Sequence, residues 1–143
     1  MSRLQLALTV SDIDQAVAFY STVFNTEPAK RRPGYANFAI ADPPLKLVLI
    51  EGENGGTLNH LGVEVAGSEE VHAATGRFQQ QDLPTRLEDG VECCYAFQDK
   101  VWVTDPDGAE WEWYTVLGDS ATMSLTPASS CDAGDQPADS ACC

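Results

Sequence analysis

Residues 5–10, Gln5-Leu6-Ala7-Leu8-Thr9-Val10, alternate between apolar and more polar side chains, the two-residue period of a short strand. Ser11-Asp12 follows as a helix start. Ser11 is the expected N-cap, because its hydroxyl can accept from an otherwise unpaired first-turn amide. From there Ile13, Val17, Tyr20 and Phe24 fall at spacings of four, three and four, one face of a helix with 3.6 residues per turn. The same order returns at His60. His60-Leu61-Gly62-Val63-Glu64-Val65 reads as a strand, Ser68-Glu69-Glu70 opens a second helix, and Val71, Ala74, Thr75 and Phe78 give that helix its apolar stripe. The recurrence aligns Gln5 with His60 and predicts an internal duplication.

Three strand-like stretches follow each helix. In the first half they lie around Ala29–Lys30, Tyr35–Ile40 and Leu45–Ile50, divided by Pro33-Gly34 and Asp42-Pro43-Pro44. In the second half they lie around Thr85–Glu88, Cys94–Thr104 and Glu110–Val116. Asp89-Gly90 and Asp105-Pro106-Asp107-Gly108 supply turn signals between them. The pattern predicts an α+β fold of two βαβββ modules, which if paired form a cupped mixed sheet with room for a shared site between symmetric strands. The modules span about residues 1–53 and 57–118. Beyond them, residues 119–143 are rich in Ser, Thr, Pro, Ala, Gly and Asp and read as a flexible acidic tail carrying Cys131, Cys142 and Cys143.

Charge then narrows the function. Lys and Arg total 8 against 22 Asp and Glu, a net charge of -14. Nucleic acids and anionic membranes need dense positive charge, and Lys30-Arg31-Arg32 is too short to supply it. No apolar run is long enough to span a bilayer, and no apolar signal segment follows Met1. A cytoplasmic location is the expectation. In that reducing compartment the five cysteines read as free thiols or ligands before disulfides.

Two constellations carry chemistry. In paired modules, Gln5 and His60 open symmetry-related strands and can face a shared cavity. On the last strand, alternation puts Glu112 and Tyr114 on one face and Trp111 and Trp113 on the other. A carboxylate in a strand covered on both faces needs a partner, and a metal is one. Taken singly, a strand histidine is more often a hydrogen-bonded core or surface residue, and a strand glutamate is usually solvated. The conjunction of Gln5, His60 and Glu112 points to a metal site. The second constellation is Cys93-Cys94. Adjacent side chains on a regular strand point apart, so both thiols reach one target only if a loop carries them. Soft ions such as trivalent arsenic or Cd(II) favour thiolate sulfur. Core filling by one cysteine is the competing reading, and spacing alone does not separate the two. His72 reads as a surface residue.

Residues 5–13, Phe19-Tyr20, Asn59–Val65 and Asp105-Pro106-Asp107-Gly108 ahead of Glu112 resemble the vicinal oxygen chelate superfamily of glyoxalases, extradiol dioxygenases and antibiotic-resistance proteins. That resemblance implies metal ligands on the first and last strands of each module, here Gln5, His60 and Glu112. The fourth position falls within Leu45–Ile50, which offers apolar groups and Lys46, with Glu51 just past its end. Three protein ligands leave coordination sites open, as O₂ chemistry at non-haem Fe(II) requires. They also count against a four-ligand isomerase of the glyoxalase type. Gln5 departs from the usual pair of histidines and one carboxylate.

A narrower resemblance, to ArsI-type carbon–arsenic lyases and cadmium-induced proteins, is carried by Phe24-Asn25, Glu27-Pro28 and Lys30–Phe38. It continues through Asp42-Pro43-Pro44, Asn59–Gly62, the cysteine pair and Gln98–Val103. It implies an Fe(II)-dependent dioxygenase that cleaves the carbon–arsenic bond of trivalent methyl or aromatic arsenicals with O₂ and releases arsenite. In that reading Cys93 and Cys94 hold the arsenic, while Gln5, His60 and Glu112 form the catalytic iron site. Lys100 and Tyr95 receive no role. The alternative is a thiol-based cadmium or arsenite binder without catalysis. Cys131, Cys142 and Cys143 of the tail read either as collectors that pass soft metal to the site or as mere solvent-exposed thiols. A homodimer stays open, since modules can pair within one chain or across two.

Overall fold

A computed structural model describes residues 2–122. The expectations for Cys131, Cys142 and Cys143 lie outside the described residues. The element order is β1 (Arg3–Val10), α1 (Ile13–Phe24), β2 (Lys30–Arg32), β3 (Tyr35–Ile40), β4 (Leu45–Glu51), β5 (Thr57–Glu64), α2 (Ser68–Gln80), β6 (Thr85–Cys93), β7 (Ala96–Thr104) and β8 (Glu110–Asp119). This is βαβββ twice over, the α+β architecture expected from the repeat. The chain divides into two compact units, Arg3–Leu61 and the residues from Gly62 onward, with β5 running across the division.

In the first unit the strand order is β2-β3-β4-β1-β5. Strand β1 pairs in parallel with β4, while β3 runs antiparallel to both β2 and β4, so the sheet is mixed. Alternation then sorts the side chains. Leu6, Leu8 and Val10 of β1 pack with Ala36, Phe38, Ile40, Leu45, Leu47 and Leu49 against Ile13 and Val17 of α1, with Tyr20 and Phe24 partly buried beside them. The opposite face of β1 carries Gln5, Ala7 and Thr9, all buried. Asp12, not Ser11, caps α1. Its carboxylate accepts from Gln15 N at 3.0 Å, which the shorter Ser11 one residue earlier does not do. Ser11 instead abuts Gly55, where an added Cβ would lie 2.7 Å from the Ser11 backbone nitrogen.

The second unit is ordered β5-β8-β7-β6, with β7 antiparallel to both β6 and β8. Val71, Ala74 and Phe78 of α2 pack on Val101, with Val65, Val103 and Trp113 around them, and Phe78 meets Trp113 edge-on at 5.2 Å. Thr75, the fourth residue of the expected stripe, is also buried and returns its hydroxyl to Val71 O. Two boundaries differ from the sequence reading. Asp89-Gly90 does not end a strand: β6 runs through it to Cys93, and the register shifts between Glu88 and Val91. Asp99, buried on β7, accepts from Gly90 N at 2.6 Å and from the Ser68 hydroxyl, so this bulge is tied to the start of α2. The chain reverses instead at Cys94-Tyr95, between β6 and β7. No helix among the described residues is long and apolar enough to cross a membrane.

Candidate metal and thiol sites

Each unit buries one face under its helix and carries polar groups on the other. In the first unit those groups are Gln5 and His60, 3% and 2% exposed. His60 Nδ1 lies 2.8 Å from Asn59 Oδ1 and His60 Nε2 lies 3.2 Å from Gln5 Nε2. Asn59 Oδ1 can only accept, so Nδ1 carries the proton and Nε2 presents its lone pair toward the Gln5 amide. This is the arrangement of a ligating imidazole: one nitrogen is held by an outer partner, and the other is aimed at a second donor group. The Gln5 amide turns over to present oxygen in place of nitrogen without moving its carbons. The residues therefore suit a divalent cation.

The β1–β4 register shows which residues neighbour Gln5 on the adjoining strand. Lys46 is the β4 partner of Gln5, and Val48 the partner of Ala7, so no carboxylate stands beside Gln5 on that strand. Glu51 is engaged elsewhere, accepting from Ile13 N at 2.8 Å at the positive end of α1.

In the second unit β7 presents Gln98, Lys100 and Trp102, paired in register with Val116, Tyr114 and Glu112 of β8. Glu112 is 1% exposed and Lys100 is fully buried, and Lys100 Nζ donates to Glu112 Oε2 at 2.9 Å. Each buried group of the pair thus has its counterpart within hydrogen-bond reach. Trp102 lies between two cations, with Lys100 Nζ and Arg86 Cζ each 5.4 Å from its ring centre. Its indole N–H donates to buried Glu88 at 3.3 Å. The sequence reading left Lys100 without a role and gave none to Asn59. The one local signal was the amide adjacent to the histidine, since Lys100 sits in the mixed stretch Gln98-Asp99-Lys100-Val101. Among the described residues no group of three His, Cys, Asp or Glu side chains converges.

Cys93 closes β6 and Cys94 begins the turn, both buried. Their sulfurs lie 3.9 Å apart. Two thiolates each about 2.3 Å from one tetrahedral soft ion stand about 3.8 Å apart, so the pair fits a single soft centre. The turn at Cys94-Tyr95, not a loop at Asp89-Gly90, brings them together. At this separation they are not bonded to one another, yet neither is a free thiol in this structure, unlike the sequence expectation. Thiol state follows the redox poise of the surroundings, which a compartment argument alone does not fix. Beside the turn, the Ser120 hydroxyl, followed by that of Thr122, holds the Glu92 carboxyl below its ordinary value against a smaller opposing effect of burial.

Residues 3–113 match the family model of the glyoxalase/bleomycin resistance protein/dioxygenase superfamily. A cadmium-induced protein from Mycobacterium tuberculosis, CadI, is 62% identical over 128 residues, covering 89% of this chain and 84% of that protein. A trivalent organoarsenical cleaving enzyme from Thermomonospora curvata is 56% identical over 133 residues, covering 92% and 88%. Among solved structures, an extradiol ring-cleaving dioxygenase from B. fuscum aligns with a TM-score of 0.62 at 19% identity over 82% of this chain and 33% of that one. A superfamily member from Vibrio splendidus aligns at 0.55 and 18% over 80% and 99%. At those identities the structures speak for the fold. With two βαβββ repeats and a family match over most of its length, the chain belongs to the glyoxalase/bleomycin resistance protein/dioxygenase superfamily.

Proposed function

We propose that this chain is an Fe(II)-dependent dioxygenase that cleaves the carbon–arsenic bond of trivalent organoarsenicals, methyl or aromatic, and releases arsenite. The observation that carries the reading is the buried Cys93–Cys94 pair with sulfurs 3.9 Å apart. Its support is the 56% identity to an organoarsenical cleaving enzyme. Cys93 and Cys94, once both are reduced, bind the arsenic as a dithiolate and fix the position of its organic group. Gln5, His60 and Glu112 are the proposed iron ligands. Asn59 orients His60, and Lys100 donates to Glu112 and fixes its position. When bound, the metal supplies the site at which O₂ is activated. Holding both reactants in fixed positions is the protein's main contribution, because it converts an encounter in solution into a reaction within one complex. A cytoplasmic location is part of the proposal.

A second reading has its own support. The alternative is a thiol-based cadmium or arsenite binder without catalysis, and a 62% identical relative is named as cadmium-induced. Incubation of reduced protein with Fe(II), O₂ and methylarsenite, followed by separation of arsenic species, distinguishes the two. The lyase forms inorganic arsenite with turnover beyond one equivalent. A product yield no greater than in iron-free controls, with arsenical retained on the protein, sinks the lyase and leaves the binder.

A further inference from the structure

The β6–β7 connection has only two central residues, because Cys93 pairs with Ala96. Both are left-handed, Cys94 at φ 52° and Tyr95 at φ 62°, the pattern of a type I′ turn. Such turns are normally built from Gly, which has no Cβ, and from Asn and Asp, whose short polar side chains bond locally, while other residues resist this conformation. Cysteine and tyrosine do not form it by preference, so the surroundings must impose it. It is this turn that brings two neighbouring sulfurs onto one target.

The segment that follows β8 supplies part of the restraint, in addition to whatever holds the two cysteines themselves. Ser120 N donates to Tyr95 O at 2.9 Å, and Tyr95 N donates to Thr122 O at 3.2 Å, a reciprocal pair of backbone bonds across the turn. The hydroxyls of Ser120 and Thr122 both donate to Glu92 Oε1, the latter at 2.6 Å, and Ser120 is itself buried. Ser120 Oγ also accepts from Thr122 N at 3.2 Å, which keeps the segment in register. From the other side Gln98 Nε2 donates to Cys93 O at 3.3 Å. Every one of these bonds ends on the turn, on Glu92 beside it, or on the segment that grips it.

We propose that Ser120, Thr122 and Glu92 form a clasp that holds the Cys93–Cys94 turn in the geometry that captures a trivalent arsenical. They are positioning residues for the thiol pair and touch neither arsenic nor metal. The proposal rests on the reading of Cys93 and Cys94 as the arsenic-binding pair. With the clasp open, the turn relaxes and the second sulfur must be reordered at each capture, so affinity falls while the metal ligands are untouched.

The test uses the full-length, reduced, metal-free protein and phenylarsine oxide, with binding followed by calorimetry. The parent binds one equivalent, and Cys94→Ser abolishes tight binding. The Ser120→Ala/Thr122→Ala variant binds about tenfold or more weakly, while its Co(II) affinity matches the parent's. Ser120→Thr, which keeps the hydroxyl, restores most of the loss. A purely structural role for the segment would not give an arsenical-specific loss that a hydroxyl rescues. If the double variant fails to fold, Glu92→Gln carries the test, because it weakens the same two bonds while keeping an acceptor in place. Parent-like affinity in the folded variant overturns the clasp alone. A parent that binds no phenylarsine oxide, or binds equally well as Cys94→Ser, overturns the thiol reading and the clasp with it.

Discussion

Lys100 and Glu112 form a buried ion pair whose partners depend on each other. Removing one partner leaves the other charge in a site without water, which typically costs about 3–5 kcal/mol. Lys100→Met is therefore expected to lower unfolding stability by that amount in urea titrations. The double variant Lys100→Met/Glu112→Gln is expected to recover most of it, and a single variant within about 1 kcal/mol of the parent would remove the pair's assigned role. Gln5 allows a complementary test. An amide oxygen is a weaker donor than imidazole, so Gln5→His is expected to tighten Co(II) or Fe(II) binding about tenfold, or about 1.4 kcal/mol. Unchanged affinity in a competition titration would place Gln5 outside the coordination sphere. At this scale the sequence was legible where chemistry is periodic. The repeat paired Gln5 with His60, and alternation put Glu112 and Tyr114 on one face, with Glu112 buried at 1% and Tyr114 fully buried. Lys100 was not legible as a partner, because pairing Trp102 with Glu112 depends on a register that two separate strands set only in the fold.

The elements fix where the thiols can act. Strand β6 ends, the chain turns within two residues, and the stretch beginning at Asp119 closes over that turn. Glu92 makes this closure sensitive to pH. Its carboxylate is held below the ordinary value of 4.5 by hydroxyl bonds from Ser120 first and Thr122 second. A folded-state pKa lowered in this way contributes stability that is fully present above the ordinary value. It is lost as pH falls through the depressed folded value. Below neutrality the parent should therefore lose amide-exchange protection at Tyr95 in a step that begins under pH 4.5, whereas Glu92→Gln should show no such step. A parent profile that matches the variant's would dissociate Glu92 from the closure. Much of this element order could be read in advance. The apolar stripes of α1 and α2 and the punctuation by Pro33-Gly34 and Asp105–Gly108 are local signals. The turn at Cys94-Tyr95 could not be read, because its residues disfavour the conformation and Asp89-Gly90 carries the stronger local turn signal. Tertiary bonds from Ser120, Thr122 and Asp99 override both preferences.

For the molecule as a whole, a net charge of -14 over 143 residues sets how ligands arrive. A surface of one sign raises the local concentration of counter-ions and speeds their association, and salt removes the effect. The screening length falls from about 30 Å at 0.01 M to about 8 Å at 0.15 M ionic strength, so the far field is lost over that range. A divalent cation feels this field twice over. A trivalent organoarsenical, neutral near pH 7 in its hydroxide form, does not feel it. Stopped-flow association of Cd(II) should therefore slow about tenfold or more between those two salt concentrations, while capture of phenylarsine oxide stays within about twofold. The contrast bears on the two functional readings. A chain selected to gather cadmium profits from its acidic surface, and its performance should decline with salt. A chain selected for arsenicals takes its selectivity from two sulfurs held by a turn, and salt should leave that unaltered. Parallel slowing of both ligands would show that a charged step precedes arsenical capture and would remove surface charge as the basis for telling them apart.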